Sequence, residues 1–145
     1  MAKHESIEDA LDALDLGTGR VQASTKRGTV AVDVVAVDRL GVKVREVSVT
    51  RTEPFDLVQE CTALPERVRS LPHRFTPVEI DTRLGGGVLR SAPEEMRKSD
   101  FYQIDLDADR NIGVRRFRVN DQGDREQIDY ILTRERLDDL IDELS

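Results

Sequence analysis

The chain has 145 residues, with 22 Lys plus Arg against 29 Asp plus Glu and a formal net charge of −7. That length is the size of one domain, so a single domain over residues 1–145 is expected. The negative charge opposes non-specific attraction to nucleic acid or to an anionic membrane.

Residues are 38% hydrophobic and 35% charged, a thin apolar supply that still carries clear periodicity, which predicts a folded domain with much solvated surface. Only four cations are lysine (Lys3, Lys26, Lys43, Lys98), so most positive charge is arginine, suited to bidentate carboxylate pairing. Cys61 is the single cysteine, which excludes an intramolecular disulfide and any cysteine-rich zinc site. The opening MAKHESIEDALDAL has no apolar h-region, and no run approaches the length of a membrane span, so the expected location is cytoplasmic.

In chain order, Ser6 to Leu16 places Ile7, Ala10, Leu11 and Leu14 at helical spacing behind a Ser6 N-cap, with Glu8 and Asp9 in the first turn. From Arg20 to Thr50 the period becomes two and valine dominates, predicting three antiparallel strands with turns at Arg27-Gly28 and at Asp38 to Gly41. Folding at the second turn sets Val37 opposite Val42, Val35 opposite Val44, Val32 opposite Val47 and Val30 opposite Val49. In that register the apolar face switches midway. The tip valines Val35, Val37, Val42 and Val44 then have two uses: a twisted layer of the same domain, or a partner or second copy of the chain.

Thr52-Glu53-Pro54 reads as a helix start followed by Phe55, Val58 and Cys61, with Pro65 breaking or restarting the helix and Pro72 ending a short second one over Glu66 to Leu71. Pro77 to Leu84 reads as a strand, returned by Gly85, Gly86 and Gly87 into Val88-Leu89-Arg90. Ser91-Ala92-Pro93-Glu94 matches a capping box opening a two-turn helix. After Phe101 a three-stranded meander follows, with Leu106 beside Ile112, Ile104 beside Val114, then Leu132 beside Ile112 and Tyr130 beside Val114. Thr133 caps a last helix with a stripe of Leu137, Leu140, Ile141 and Leu144.

These elements predict an α+β fold, an antiparallel sheet of meanders covered by helices in the order α-βββ-α-ββ-α-βββ-α. The segments Val49 to Val58 and Leu132 to Ile141 echo one another, which raises a duplicated βββα unit.

Candidate chemistry is sparse. DTRLGGGVLRS lacks the Gly-Lys-Ser/Thr of a P-loop and the GxGxxG of a dinucleotide site, though Arg83, Gly85, Gly86, Gly87 and Arg90 could surround an anion. A plain glycine hairpin explains the same run. Asp105-x-Asp107-x-Asp109 opens like a calcium loop, but Arg110 stands where glycine turns such a loop and Arg116 where its glutamate belongs. Cys61 lies on an apolar stripe, which fits a buried thiol better than a nucleophile served by His73. Arg115-Arg116-x-Arg118 around Phe117 is basic only locally, and alternation sends Arg115 to a polar face with Gln103 and Asp129.

No catalytic residues, metal ligands or cofactors are expected. The expected function is a non-catalytic module that binds another protein or itself as a homodimer, without nucleic acid or membrane. The alternative is a protein for small anionic or phosphoester ligands at the glycine loop.

Overall fold

The computed structural model of the chain describes residues 3–14, 17–92 and 99–145. Their elements are β1 (Lys3–His4), α1 (Ile7–Asp12), β2 (Gly19–Thr25), β3 (Gly28–Val37), β4 (Gly41–Arg51), α2 (Leu57–Arg67), β5 (Phe75–Asp81), β6 (Gly86–Ser91), β7 (Asp100–Leu106), β8 (Asn111–Val119), β9 (Arg125–Ile128), β10 (Tyr130–Thr133) and α3 (Arg134–Leu144). They make an α+β fold with one mostly antiparallel sheet in the order β1-β2-β3-β4-β8-β7-β6-β5, to which β9 and β10 attach at β8 and β4. No described helix is long and apolar enough to cross a membrane.

Alternation decides the two faces of the sheet. One apolar row runs through paired Val21, Val32, Val47, Val114, Ile104 and Leu89, and the next through Ala23, Val30, Val49, Ile112, Leu106 and Gly87. Each row crosses six strands without a polar residue. The helices close over this face, burying Ile7 and Leu11 from α1, Cys61 and Leu64 from α2, and Leu137, Leu140, Ile141 and Leu144 from α3 in one core. Local chemistry sets their starts: Ser6, Asp56 and Thr133 each accept a hydrogen bond from the backbone N–H three residues on.

Strands β4 and β8 pair only over Val47–Thr50 and Asn111–Val114, then diverge. The last strand fills the gap. β9 follows β8 from Arg116↔Ile128 to Val119↔Arg125, and β10 follows β4 from Tyr130↔Val44 to Thr133↔Gly41. At the join, the Arg45 guanidinium donates to Asp129 Oδ1 (3.1 Å) and Gln127 Nε2 donates to the Arg45 carbonyl (2.9 Å). Tyr130 sits fully inside, its hydroxyl donating to the Val114 carbonyl at 2.8 Å and its ring edge-on to Tyr102. Burial, with the Tyr102 and Glu46 charges behind it, holds the Tyr130 phenol well above the ordinary tyrosine range, so this hydroxyl stays a donor.

Several expectations change against this fold. Val30↔Val49, Val32↔Val47 and Val37↔Val42 are found as predicted, but Val44 lies opposite Val34, not Val35. Arg45 on β4 and Val35 on β3 have no partner in the register, and each such bulge advances the alternation by one residue. Val42 and Val44 therefore face the same way as Val47 and Val49. Both are buried in the chain's own core, whereas Val35 and Val37 are only partly buried. The register expected for the last strand holds at Arg116↔Ile128, but the strand then leaves β8, so Tyr130 and Leu132 pair with Val44 and Val42 instead of Val114 and Ile112.

Helix α2 starts at Leu57 behind Asp56, past Thr52, and carries Pro65 within it. No second helix follows over Glu66 to Leu71. The helix expected after Ser91 runs over residues 92–98, of which 93–98 lie outside the described residues, and the Ser91 hydroxyl accepts from the Tyr102 N–H (2.8 Å). His4 belongs to β1, which pairs in parallel with β2.

Three substitutions test this packing. Val44→Asp should abolish cooperative thermal unfolding, because it buries an unpaired carboxylate, whereas Val35→Asp should shift stability by no more than about 1 kcal/mol. Tyr130→Phe leaves the buried Val114 carbonyl without its donor and should cost about 1–3 kcal/mol in urea denaturation.

Candidate functional site

The glycine run is accounted for by packing. Gly85 takes φ 75°, and a Cβ there would stand 2.9 Å from that of Ala108, so the turn requires glycine. A Cβ on Gly87 would stand 2.7 Å from Cys61 Sγ, so Gly87 is the gap through which α2 reaches the sheet. The loop is pinned by Asp81, whose Oδ1 accepts from the N–H groups of Arg83 and Leu84 (3.1 and 3.2 Å). Arg83 is exposed on the turn, and Arg90 lies along β6 on the sheet face opposite α2. The five residues proposed as one anion site are thus split between a turn, a helix contact and the far face of the sheet. Burial raises the Cys61 thiol, with the Glu60 charge adding to it, which disfavours the thiolate a nucleophile needs.

That far face holds the assembled polar side chains. Its central row crosses the sheet as Gln22, Ala31, Ser48, Gly113, Asp105 and Val88. Ala31, Ser48 and Gly113 are small, so the middle of the face is low. Taller side chains flank it: Arg20, Glu46 and Arg115 on one side, Thr50, Asn111 and Asp107 on the other. The result is an open groove of about 320 Å³.

One wall continues as a hydrogen-bonded chain. Arg115 Nη2 donates to Asp105 Oδ2 (2.6 Å), and Gln103 Nε2 donates to Asp105 Oδ1 (2.9 Å). That fixes the Gln103 amide with its oxygen turned away from Asp105, and this oxygen accepts from Arg90 Nε and Arg125 Nη1, both at 3.0 Å. Strand register creates the chain, since Arg115 pairs with Gln103 and Gln103 with Arg90. The predicted polar row of Gln103 and Arg115 is present, while Asp129 belongs to the Arg45 join.

Glu46 is the least satisfied member. Its nearest cation is Arg115 Nε at 3.8 Å, beyond hydrogen-bond distance, and that Nε–H is buried without an acceptor. Burial pushes the Glu46 carboxyl above the ordinary glutamate range, and Arg115 offsets this only in part. Gly113 keeps the position open, since a Cβ there would come within 3.1 Å of Glu46 Oε2.

Other ion pairs are structural. Glu60 bridges Arg51 (3.0 Å) and Arg67 (2.9 Å), which also donate to the Leu144 and Glu143 carbonyls and so fix the end of α3. Burial alone would raise Glu60, but the two arginines outweigh it and hold its carboxyl low. Buried Asp100 takes Arg118 through two bonds (2.8 and 3.0 Å) and Arg116 at 3.3 Å. The Arg118 bond leads in holding Asp100 below the usual carboxylate range. In the Asp105-x-Asp107-x-Asp109 run, Asp107 accepts from the Asp109 and Asn111 N–H groups while Asp105 serves Gln103 and Arg115, so hairpin geometry employs these oxygens.

No protein-family model, no curated protein and no solved structure matches this chain.

Spacing alone pointed to Arg90 through the neighbouring glycines. It missed Glu46 and Arg125 and gave Gln103 only a place in the polar row, since their signal was parity on strands that also carry the core. Gly87→Ala should cost about 1–3 kcal/mol by forcing α2 outward, with part of the loss recovered by adding Cys61→Ala. Chemical denaturation of both single variants and the double variant measures it.

Proposed function

We propose that the chain is a non-catalytic protein-binding module that receives a basic segment of its partner in the groove on the polar sheet face. The observation that carries this reading is Glu46, half-buried in the groove wall with no hydrogen-bond donor in contact among the described residues. Both wall arginines have carboxylates of their own, Arg20 with Asp33 (2.9 Å) and Arg115 with Asp105, so Glu46 and Asp107 supply the spare charge. A guanidinium or ammonium group lowered over Gly113 meets them, and net charge −7 adds long-range attraction for a cationic partner.

The groove is open and lined mostly by polar side chains, unlike the enclosed, largely apolar pockets that bury small molecules. Of the two partners expected from the sequence, this chemistry favours another protein over a second copy, which would bring the same negative charge. The proposal includes descent of the two halves, β2 to β4 with α2 and β7 to β10 with α3, from one duplicated unit, supported by a run of strands ending in a helix in each, three strands in the first and four in the second.

Titration with a short arginine- and lysine-rich peptide, followed by amide NMR, should give saturable shifts centred on Glu46, Asn111 and Gly113 that weaken with salt. Glu46→Gln should weaken binding by roughly tenfold. Shifts scattered over the acidic surface, or an unchanged affinity in Glu46→Gln, would reject the groove.

The same variant makes an opposite prediction for stability. Because the folded-state pKa of Glu46 is raised, folding favours its protonated form relative to the unfolded chain. That contribution is complete below the unfolded pKa and disappears as pH rises through the folded one. Glu46→Gln should therefore raise the melting temperature at pH 7 and lose that advantage in acid, while peptide binding to the native chain should fade as pH falls through the raised pKa.

A further inference from the structure

Among the described residues, ten arginines have a carboxylate partner, whereas two on the polar sheet face share a single amide instead. Arg51, Arg67, Arg115, Arg116 and Arg118 all reach carboxylates within 3.3 Å. Arg90 and Arg125 instead converge on one neutral oxygen, Gln103 Oε1, and among the described residues neither has a carboxylate within ion-pair reach. Two like charges are therefore held within two hydrogen-bond lengths of each other with no described carboxylate paired to either, on a chain of net charge −7. Gln103 is only 3% exposed, and its Asp105 bond prevents the amide from turning its NH2 toward the arginines.

The pair is braced from below. Phe101 and Phe117 stack with centroids 5.6 Å apart, the Arg90 guanidinium lies 5.4 Å over Phe101, and that of Arg125 lies 4.3 Å over Phe117. These cation–π contacts fix both guanidinium groups without consuming their N–H donors. In the hydrogen bonds to Gln103, Arg90 uses only Nε and Arg125 only Nη1, which leaves most of the five donors of each group free for an acceptor.

We propose that Arg90 and Arg125, positioned by Gln103 and the Phe101–Phe117 stack, form a binding site for an oxyanion, a phosphate or carboxylate group carried by a ligand or partner. Planar forks that present several N–H donors match such groups in geometry, and an anion supplies the missing charge between them. The site does not rest on the groove reading, since Arg90, Gln103 and Arg125 do not line the groove. It replaces the glycine-loop anion site, keeping Arg90 and substituting Gln103 and Arg125 for Arg83 and the glycines.

The test is an NMR titration at low ionic strength with inorganic phosphate in one arm, acetate in a second and sodium chloride at matched ionic strength in a third. The Arg90 and Arg125 Nε–H signals and the Gln103 side-chain NH2 are followed. Saturable shifts at these groups in the phosphate or acetate arm, absent with chloride, are expected, and the arm that saturates first identifies the anion class. Arg125→Met and Arg90→Met, which keep an apolar stem over the phenyl rings, should each weaken binding about tenfold, and together abolish it. Arg125 is exposed, so Arg125→Met tests the site even if Arg90→Met impairs folding. Absence of saturation with both anions up to roughly 10 mM, an equal response to chloride, or unchanged affinity in Arg125→Met would overturn the proposal.

Discussion

The structure depends on one seam. β4 and β8 share four paired positions and then separate, and a sheet that splits in this way would leave two facing rows of unpaired backbone groups beside the core. The last strand resolves this by changing partner at Asp129, pairing first with β8 and then with β4. Tyr130 locks the change from inside and the Arg45–Asp129 pair locks it from outside. With the seam closed, the apolar rows continue into Val42, Val44, Tyr130 and Leu132, and α3 has a surface to cover.

The same seam explains why the valine pattern misleads. A bulge adds no distinctive residue type; it adds one position, here Arg45, that reads like any other polar strand residue. Strict alternation across Arg45 therefore turns Val42 and Val44 toward the wrong face. Where no bulge intervenes, pairing was legible from residue type alone, as with Val47 against Val32 or Ile104 against Val114. Caps at Ser6 and Thr133 were legible for a similar reason, since their chemistry is local. The start of α2 was not, because Thr52, Pro54 and Asp56 are all acceptable near a helix start and only packing chooses Asp56.

The polar face was far less legible. Its parts come from β2, β3, β4, β6, β7, β8 and β9, and what joins them is register, which couples residues far apart in sequence. Gln103 illustrates the difficulty: a lone glutamine on a strand signals nothing until Arg90 and Arg125 are seen to meet at its oxygen. Arg90 was noticed for its glycine neighbours, yet Gly85 serves a turn and Gly87 serves α2. An unneutralised arginine pair and an under-solvated Glu46 both cost stability, and such costs concentrate where a surface is kept for binding.

The seam has a further consequence for the life of the chain before it is fully folded. The segment that closes it follows β8, and its contacts reach back over great sequence distances, as from Asp129 to Arg45. Such contacts form late, because loop closure must precede them. Until β9 and β10 dock, the valine-rich edge of β4 and the end of β8 are open templates for another chain's strand. Once docked, residues 125–133 cover both of these templates.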